Sequence, residues 1–360
     1  MSLFQVASDP PTKLGIYRVL SSRAGVRVSP LVLSAMSVGD KWEAHGLGSM
    51  NKESSFKLLD AEARNMRSAG HCDEGTEAIP SQYTTNFKRG NDAIVQKVNY
   101  IGNNTKSMHV SMEASLKKLR TSYIDILYVN WWDYEMSIPE IMDSLHNLVV
   151  AQKVLYLGVS DTPAWVVSQA NQYAVDHGKT PFVVYQGKWS ILERSFEHEI
   201  IPMARSLGMA LSPWSVLGQG KLRTDEEEEH RKEMGEKGCL VWGPSWERTE
   251  VEVKVCRALE KVVAEVGVGS NITAVAIAYV MHKTPYVFPI IGGRKVEHLE
   301  VNLKALDISL SKEQIEYLES TILFDPGFPT TMIGDGSSYR ILLASAAKMA
   351  KQPGLQPITP

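Results

Sequence analysis

Cysteine is scarce: Cys72, Cys239 and Cys256 are the three in 360 residues, and they are widely scattered. An odd, dispersed set provides neither a disulfide framework nor the paired spacing of a thiolate metal site, and it fits a reducing compartment. Neither sign of charge prevails, with 38 Lys and Arg against 41 Asp and Glu and a formal net charge of −3. That leaves no basic field for nucleic acid or an anionic membrane. No apolar run approaches the ~18–20 residues of a membrane span. Residues 1–13 lack the apolar stretch of a secretory leader and carry Pro10-Pro11. The sequons at Asn103 and Asn271 therefore have no secretory route to give them meaning. The expectation is a soluble, cytoplasmic protein. What is present is ordinary globular composition, 44% hydrophobic and 22% charged, in a chain long enough for a large core.

From about residue 107 the chain alternates short apolar runs with helical patterns. Met108, Met112, Leu116 and Leu119 recur at helical spacing, and 124–130 is a strand-length apolar run. Ser137 reads as a helix N-cap with Glu140 as its capping-box partner, followed by Ile138, Ile141, Leu145, Leu148 and Val149 on one face. The unit then repeats. A strand over 154–159 precedes a helix capped at Thr162-Pro163, and a strand over 182–185 precedes a helix around 197–207. A strand over 209–214 leads through an insertion to helices near 251–265 and 272–282, then a strand over 286–291 and a helix from Val296.

Strands buried on both faces and separated by helices pair in parallel through right-handed crossovers. No Gly-x-Gly-x-x-Gly turn follows the first strand, so the doubly wound dinucleotide fingerprint is missing. Several strands instead end in polar residues: Asn130, Ser160-Asp161, Gln186 and Lys188, Ser212, and Gly293-Arg294. Polar groups ringed at strand C-termini are how a closed (β/α)8 barrel builds a site. The expected organisation is one barrel domain over 1–345 and a tail over 346–360. The acidic run at 225–229 reads as a solvated loop or helix end.

Several segments together resemble the aldo-keto reductase superfamily, in its fungal aryl-alcohol dehydrogenase and norsolorinic-acid-reductase-like branch. Tyr17–Leu20 with Ala24–Pro30 is similar to that family's N-terminal hairpin and first strand, and Tyr128–Tyr134 to its fourth-strand motif. Residues 154–165, 185–189, 212–222 and 292–300 are similar to its later cofactor-contacting motifs. The likeness covers roughly 11–61 and 85–340. It implies a (β/α)8 barrel and NADP(H). By resemblance, Ser160 and Gln186 hold the nicotinamide carboxamide with Asp161 beside them, and Trp214 stacks on the nicotinamide ring. The stretch Ser212, Pro213, Trp214, Ser215, Val216, Leu217, Gly218, Gln219, Gly220, Lys221 and Leu222 passes over the pyrophosphate. Gly293, Arg294, Lys295, His298 and Asn302 take the adenosine end, the cationic pair favouring a 2′-phosphate. Each residue alone reads as core or as solvated surface; their joint order and spacing carry the assignment.

The resemblance also exposes a loss. The family uses an Asp-x-x-x-x-Tyr motif after the second strand, a Lys ending the third and a His ending the fourth. Hydride arriving at a carbonyl leaves charge on oxygen, which a tyrosine hydroxyl lowered by a neighbouring ammonium must quench. No Asp-x-x-x-x-Tyr occurs anywhere here, and residues 62–80 replace the expected continuation of the first helix. The chain is shorter than the family at this point by about 25–30 residues, roughly one βαβ unit. Asn130 stands where the family has His; as a substrate-side group it can donate a hydrogen bond but cannot titrate. Tyr83 and Asp73 are wrongly spaced to substitute, His71-Cys72-Asp73 has no partner ligands in reach, and His198-Glu199 lacks the second His of a zinc helix. No catalytic residue and no metal site is assigned. The sequence thus points to an NADP(H)-dependent oxidoreductase of fungal secondary metabolism acting on a ketone, aldehyde or alcohol. The alternative is a cofactor-binding pseudoenzyme or degraded gene product.

Overall fold

The computed structural model describes residues 8–34, 50–66, 102–119, 121–235, 245–267 and 269–360. The expected irregularity over 62–105, with Tyr83, Asp73 and His71-Cys72-Asp73, falls largely on 67–101, outside the described residues. An antiparallel hairpin, β1 (Arg18–Ser21) and β2 (Ala24–Val28), opens the fold. It is followed by β3 (Val32–Leu33), α1 (Lys52–Met66), α2 (Thr105–Leu119) and β4 (Ile124–Asn130). Three further units are α3 (Ile138–Val150) with β5 (Val154–Ser160), α4 (Ala164–Asp176) with β6 (Phe182–Lys188), and α5 (Ile200–Leu207) with β7 (Ala210–Trp214). Then come α6 (Asp225–Glu233), α7 (Glu250–Val266), α8 (Ile272–Lys283), β8 (Ile290–Ile291), α9 (Val296–Leu303) and α10 (Lys312–Ser320). Two single turns, α11 (Thr330–Ile333) and α12 (Ile341–Ala344), follow, with no helix or strand after them.

Strands β4, β5, β6 and β7 pair in parallel, in that order. Leu211 of β7 bridges Val287, and β8 pairs in parallel with β3 through Val32↔Ile290 and Leu33↔Ile291. The result is an arc, β4-β5-β6-β7-β8-β3, whose two ends are β3 and β4. Among the described residues no strand joins those ends, so the expected closed ring of eight is seen as six staves. The last stave is also shorter than the apolar run 286–291 suggests. Tyr286 and Phe288 flank Leu211 through single backbone hydrogen bonds (2.9 and 2.8 Å), and regular pairing is confined to Ile290–Ile291.

Alternation along the strands divides the core in two. Ile126, Tyr128, Val184, Ala210 and Phe288 pack with Leu20, Ala24 and Val28 of the hairpin. Their neighbours Leu127, Val129, Leu157, Val159, Tyr185 and Leu211 belong to the larger cluster shared with the helices. This two-period separation is what a stave packed on both faces requires. Gly158 is part of the inner fit: a β-carbon there would lie 2.6 Å from the Tyr128 ring.

Two local expectations are corrected. Ser137 Oγ accepts from Glu140 N, but the Glu140 carboxylate turns instead to the backbone N–H and hydroxyl of Thr105, tying α3 to α2. Thr162 does not cap α4; its hydroxyl donates to the Ser160 carbonyl at 3.1 Å, and Pro163 is the cap.

Candidate active site at the strand ends

Parallel register sets the site. Asn130 pairs with Ser160, Ser160 with Gln186, and Gln186 with Ser212, placing four polar residues in one lateral row at the strand C-termini. All four are buried. Ser160 Oγ donates to Asp161 Oδ2 at 3.0 Å and lies 3.4 Å from Gln186 Oε1. Asp161 turns the backbone with φ 51°, a left-handed conformation that a short polar side chain tolerates. Its Oδ1 accepts from Trp214 Nε1 at 3.0 Å, which fixes the indole at the end of β7. Ser212 Oγ donates to the Phe288 carbonyl. Ser160, Gln186, Asp161 and the Trp214 indole are thus one hydrogen-bonded unit.

Beyond Trp214 the chain makes a tight turn. Ser215, Gly218, Gln219 and Gly220 all take positive φ, while Val216 and Leu222 bury their side chains and pin its ends. Gly218 is needed, since a β-carbon would lie 2.7 Å from Leu192 Cδ1. Lys221, expected to offer charge to a pyrophosphate, donates to the Glu247 carbonyl (2.7 Å) and to Glu252 of α7 (3.2 Å). Pro213 and Leu217 are parts of the frame.

The acidic run opens α6, the helix end among the two expectations, and all of it but Glu228 is exposed. Thr224 and Glu227 close a capping box, and Glu228 is buried against Arg223 and Arg248. Burial opposes its charge, yet the hydrogen bond from Arg248 and the field of Arg223 hold its carboxyl below the ordinary range. From the same helix Arg231 reaches Gly220: a β-carbon there would lie 3.9 Å from Arg231 Nη1. Sequence reading passed over Arg231; its position six residues after an acidic start on a capped helix was the available signal.

Arg294 and Lys295 are exposed ahead of α9, Gly293 packs against His298, and Asn302 is buried in the last turn. Desolvation of its ring, then the charges of Lys295 and Arg231, hold the His298 imidazole below its ordinary value although the residue as a whole is exposed. Arg231, Arg294 and Lys295 make no ion pair among the described residues, so this corner is a cationic cluster with unspent charge. Anions bearing several oxygens are the chemistry such a cluster suits.

The other side of the row is different. Asn130 Oδ1 is buried with no hydrogen-bond partner among the described residues. Tyr128, one turn of the pleat below, has its hydroxyl pushed well above the ordinary value by burial, only partly offset by a hydrogen bond with Ser212. Tyr185 is likewise raised by burial and spends its hydroxyl on both backbone groups of Thr162. Among the described residues neither has the neighbouring ammonium that a proton-donating tyrosine needs. Among the described residues no group of three or more His, Cys, Asp or Glu is placed to hold a metal ion. Trp131, with φ 59° and 55% exposure, and the exposed Tyr134 stand at the mouth beside Asn130.

Comparison with known proteins agrees with this architecture. Residues 75–322 match the model of the aldo/keto reductase family. The chain is 52% identical to an NADP(+) aryl-alcohol dehydrogenase of Phanerodontia chrysosporium, with both chains covered in full. That alignment runs over 386 positions against 360 residues here, so at least 26 positions of it have no counterpart in this chain. The aldo-keto reductase ausK of Emericella nidulans is 46% identical, over 97% of this chain and 93% of its own. Norsolorinic acid reductase B of Dothistroma septosporum is 45% identical, over 88% of this chain and 84% of its own. Among the described residues no helix is long and apolar enough to cross a membrane. A parallel α/β arc with its polar groups at the strand ends, matched over more than half its length by the family model, belongs to the aldo/keto reductase family of oxidoreductases.

Proposed function

We propose that this chain binds NADP(H) along the β5–β8 side of the strand-end rim and performs little or no carbonyl chemistry with it. The observation that carries the reading is the hydrogen-bonded unit Ser160–Asp161–Gln186–Trp214, together with the cationic cluster of Arg231, Arg294 and Lys295 around the His298 ring. The residues fit the group. Ser160 and Gln186 present amide-compatible donors and acceptors, the fixed indole offers a flat face to a nicotinamide ring, and the cations suit phosphate oxygens. When bound, the dinucleotide supplies or takes the hydride of an alcohol–carbonyl interconversion. Asp161 keeps the Trp214 face aligned, and the turn over 218–222 lets backbone approach the pyrophosphate.

The chemical half is not matched. Proton delivery to the developing alkoxide requires an acid near the row, and Asn130 can only donate a hydrogen bond without losing charge. Loss of a general acid alone slows such steps by about 10²–10⁴. The 26 or more alignment positions without a counterpart support a missing stretch of about one βαβ unit. A second reading, an active NADP(H)-dependent reductase of fungal secondary metabolism acting on a polyketide- or meroterpenoid-like carbonyl, draws on the 45–52% identity to named reductases and a dehydrogenase over most of this chain.

Fluorescence titration of the purified chain with NADPH and with NADH tests the first reading. Saturable binding with a preference for NADPH is expected. Equal, weak or absent responses to both would overturn it.

A further inference from the structure

The turn over residues 215–220 contains two non-glycine residues, Ser215 and Gln219, at φ 60° and 59°, beside Gly218 and Gly220. A backbone of that shape persists only when its surroundings over-determine it. Here the support is a buried ionic brace that lies behind the turn, outside the strand-end row. Arg223, 3% exposed, donates through Nη1 to the Gly220 carbonyl at 2.7 Å and through Nη2 to the Trp246 carbonyl at 2.9 Å. Its guanidinium also lies over the Trp246 ring at 5.0 Å. Arg248 donates to the Arg223 carbonyl at 2.6 Å and to Asp225 Oδ1 at 2.7 Å, and it contacts Glu228. Glu228 Oε2 accepts from both guanidinium groups.

Two buried cations with one shared carboxylate make Glu228 the centre of the brace. Without it the guanidinium groups repel, and Arg223 loses the contact that aims it at Gly220. Glu228 also lies on α6, three residues before Arg231, so the same helix sets the cation facing Gly220. We propose that Glu228 is a positioning residue: by clamping Arg223 to Arg248 it holds the 218–222 turn closed and sets how slowly a bound dinucleotide leaves. This rests on the NADP(H) reading above. The brace acts on backbone shape next to the pyrophosphate, which NADPH and NADH share, so its loss affects both equally.

The test is release of NADPH and of NADH from the full chain, displaced by excess NADP(+) in a stopped-flow instrument. Glu228→Gln is expected to speed both by about tenfold, the equivalent of one charge-assisted hydrogen bond. Arg248→Lys keeps the charge but loses the bond to the Arg223 carbonyl, and about threefold faster release of both is expected. Release at the wild-type rate from a folded Glu228→Gln overturns the proposal, as does acceleration confined to NADPH. Should that variant not fold, Arg248→Lys decides on the same terms. A wild-type chain that binds neither dinucleotide removes the site reading together with the proposal. A binding wild type whose variants release normally removes the proposal alone.

Discussion

Along the strand-end rim, Ser160, Asp161, Gln186 and Trp214 are joined by hydrogen bonds into one unit, whereas the neighbouring Asn130 leaves Oδ1 buried without a partner among the described residues. The contrast extends outward from each side. Behind Trp214 the turn is stitched by Arg223, Arg248 and Lys221 to the start of α7. On the far side of Asn130 the arc, among the described residues, ends at β4, and α1 carries Glu62, a carboxylate only 3% exposed. On the proposed reading, a dinucleotide site drawn from the consecutive staves β5 to β8 needs only the register those staves keep, whereas an acid site needs groups from beyond β4 as well.

The largest effect that would sharpen this comparison is at Glu62. Burial raises its carboxyl to about 8 from an ordinary 4.5. The folded chain therefore holds a proton that the unfolded chain gives up, and stability falls as pH rises from about 4.5 to about 8 and is level above. Glu62→Gln removes that fall, so its denaturation midpoint in urea should exceed the wild type's at pH 9 and match it at pH 4. A smaller gain at pH 9 than at pH 4 would show that this side is no weaker than the other. Next in size is Trp214→Ala, expected to weaken NADPH about thirtyfold in a fluorescence titration, through the lost ring face and the hydrogen bond lost at Asp161 Oδ1. Arg294→Ala should weaken NADPH about fivefold and leave NADH unchanged, since only the former carries a phosphate for the cluster. The smallest change belongs to Asn130→His. With no acidified tyrosine beside it, carbonyl-dependent NADPH loss should rise by less than about threefold. A gain of several orders would break the comparison, because it would place a working acid on the β4 side.

The extent to which the sequence foretold this structure follows the same division. Staves β4 to β7 were readable because their apolar runs are bounded by caps and turns, and the polar ends Asn130, Ser160, Gln186 and Ser212 follow from the period of two. The cation pair Arg294-Lys295 was visible for the same local reason. The brace was not, because Glu228 sits in a run of acids that reads as solvated, and only tertiary contact with Arg223 and Arg248 buries it. Lys221 was assigned to a phosphate by its place in a motif, while Glu252, thirty-one residues away, holds it in the structure. Thr162 and Glu140 show the same limit at helix starts: side chains with the right spacing for a cap found partners on other elements.

The most direct measurement is a single turnover: the chain loaded with NADPH is mixed with an aryl aldehyde, and nicotinamide absorbance is followed for one equivalent of cofactor. The account predicts a stable signal indistinguishable from NADPH-loaded protein without aldehyde. A full decay of one equivalent would contradict it and would mean that a proton donor stands within reach of Asn130 and Trp214.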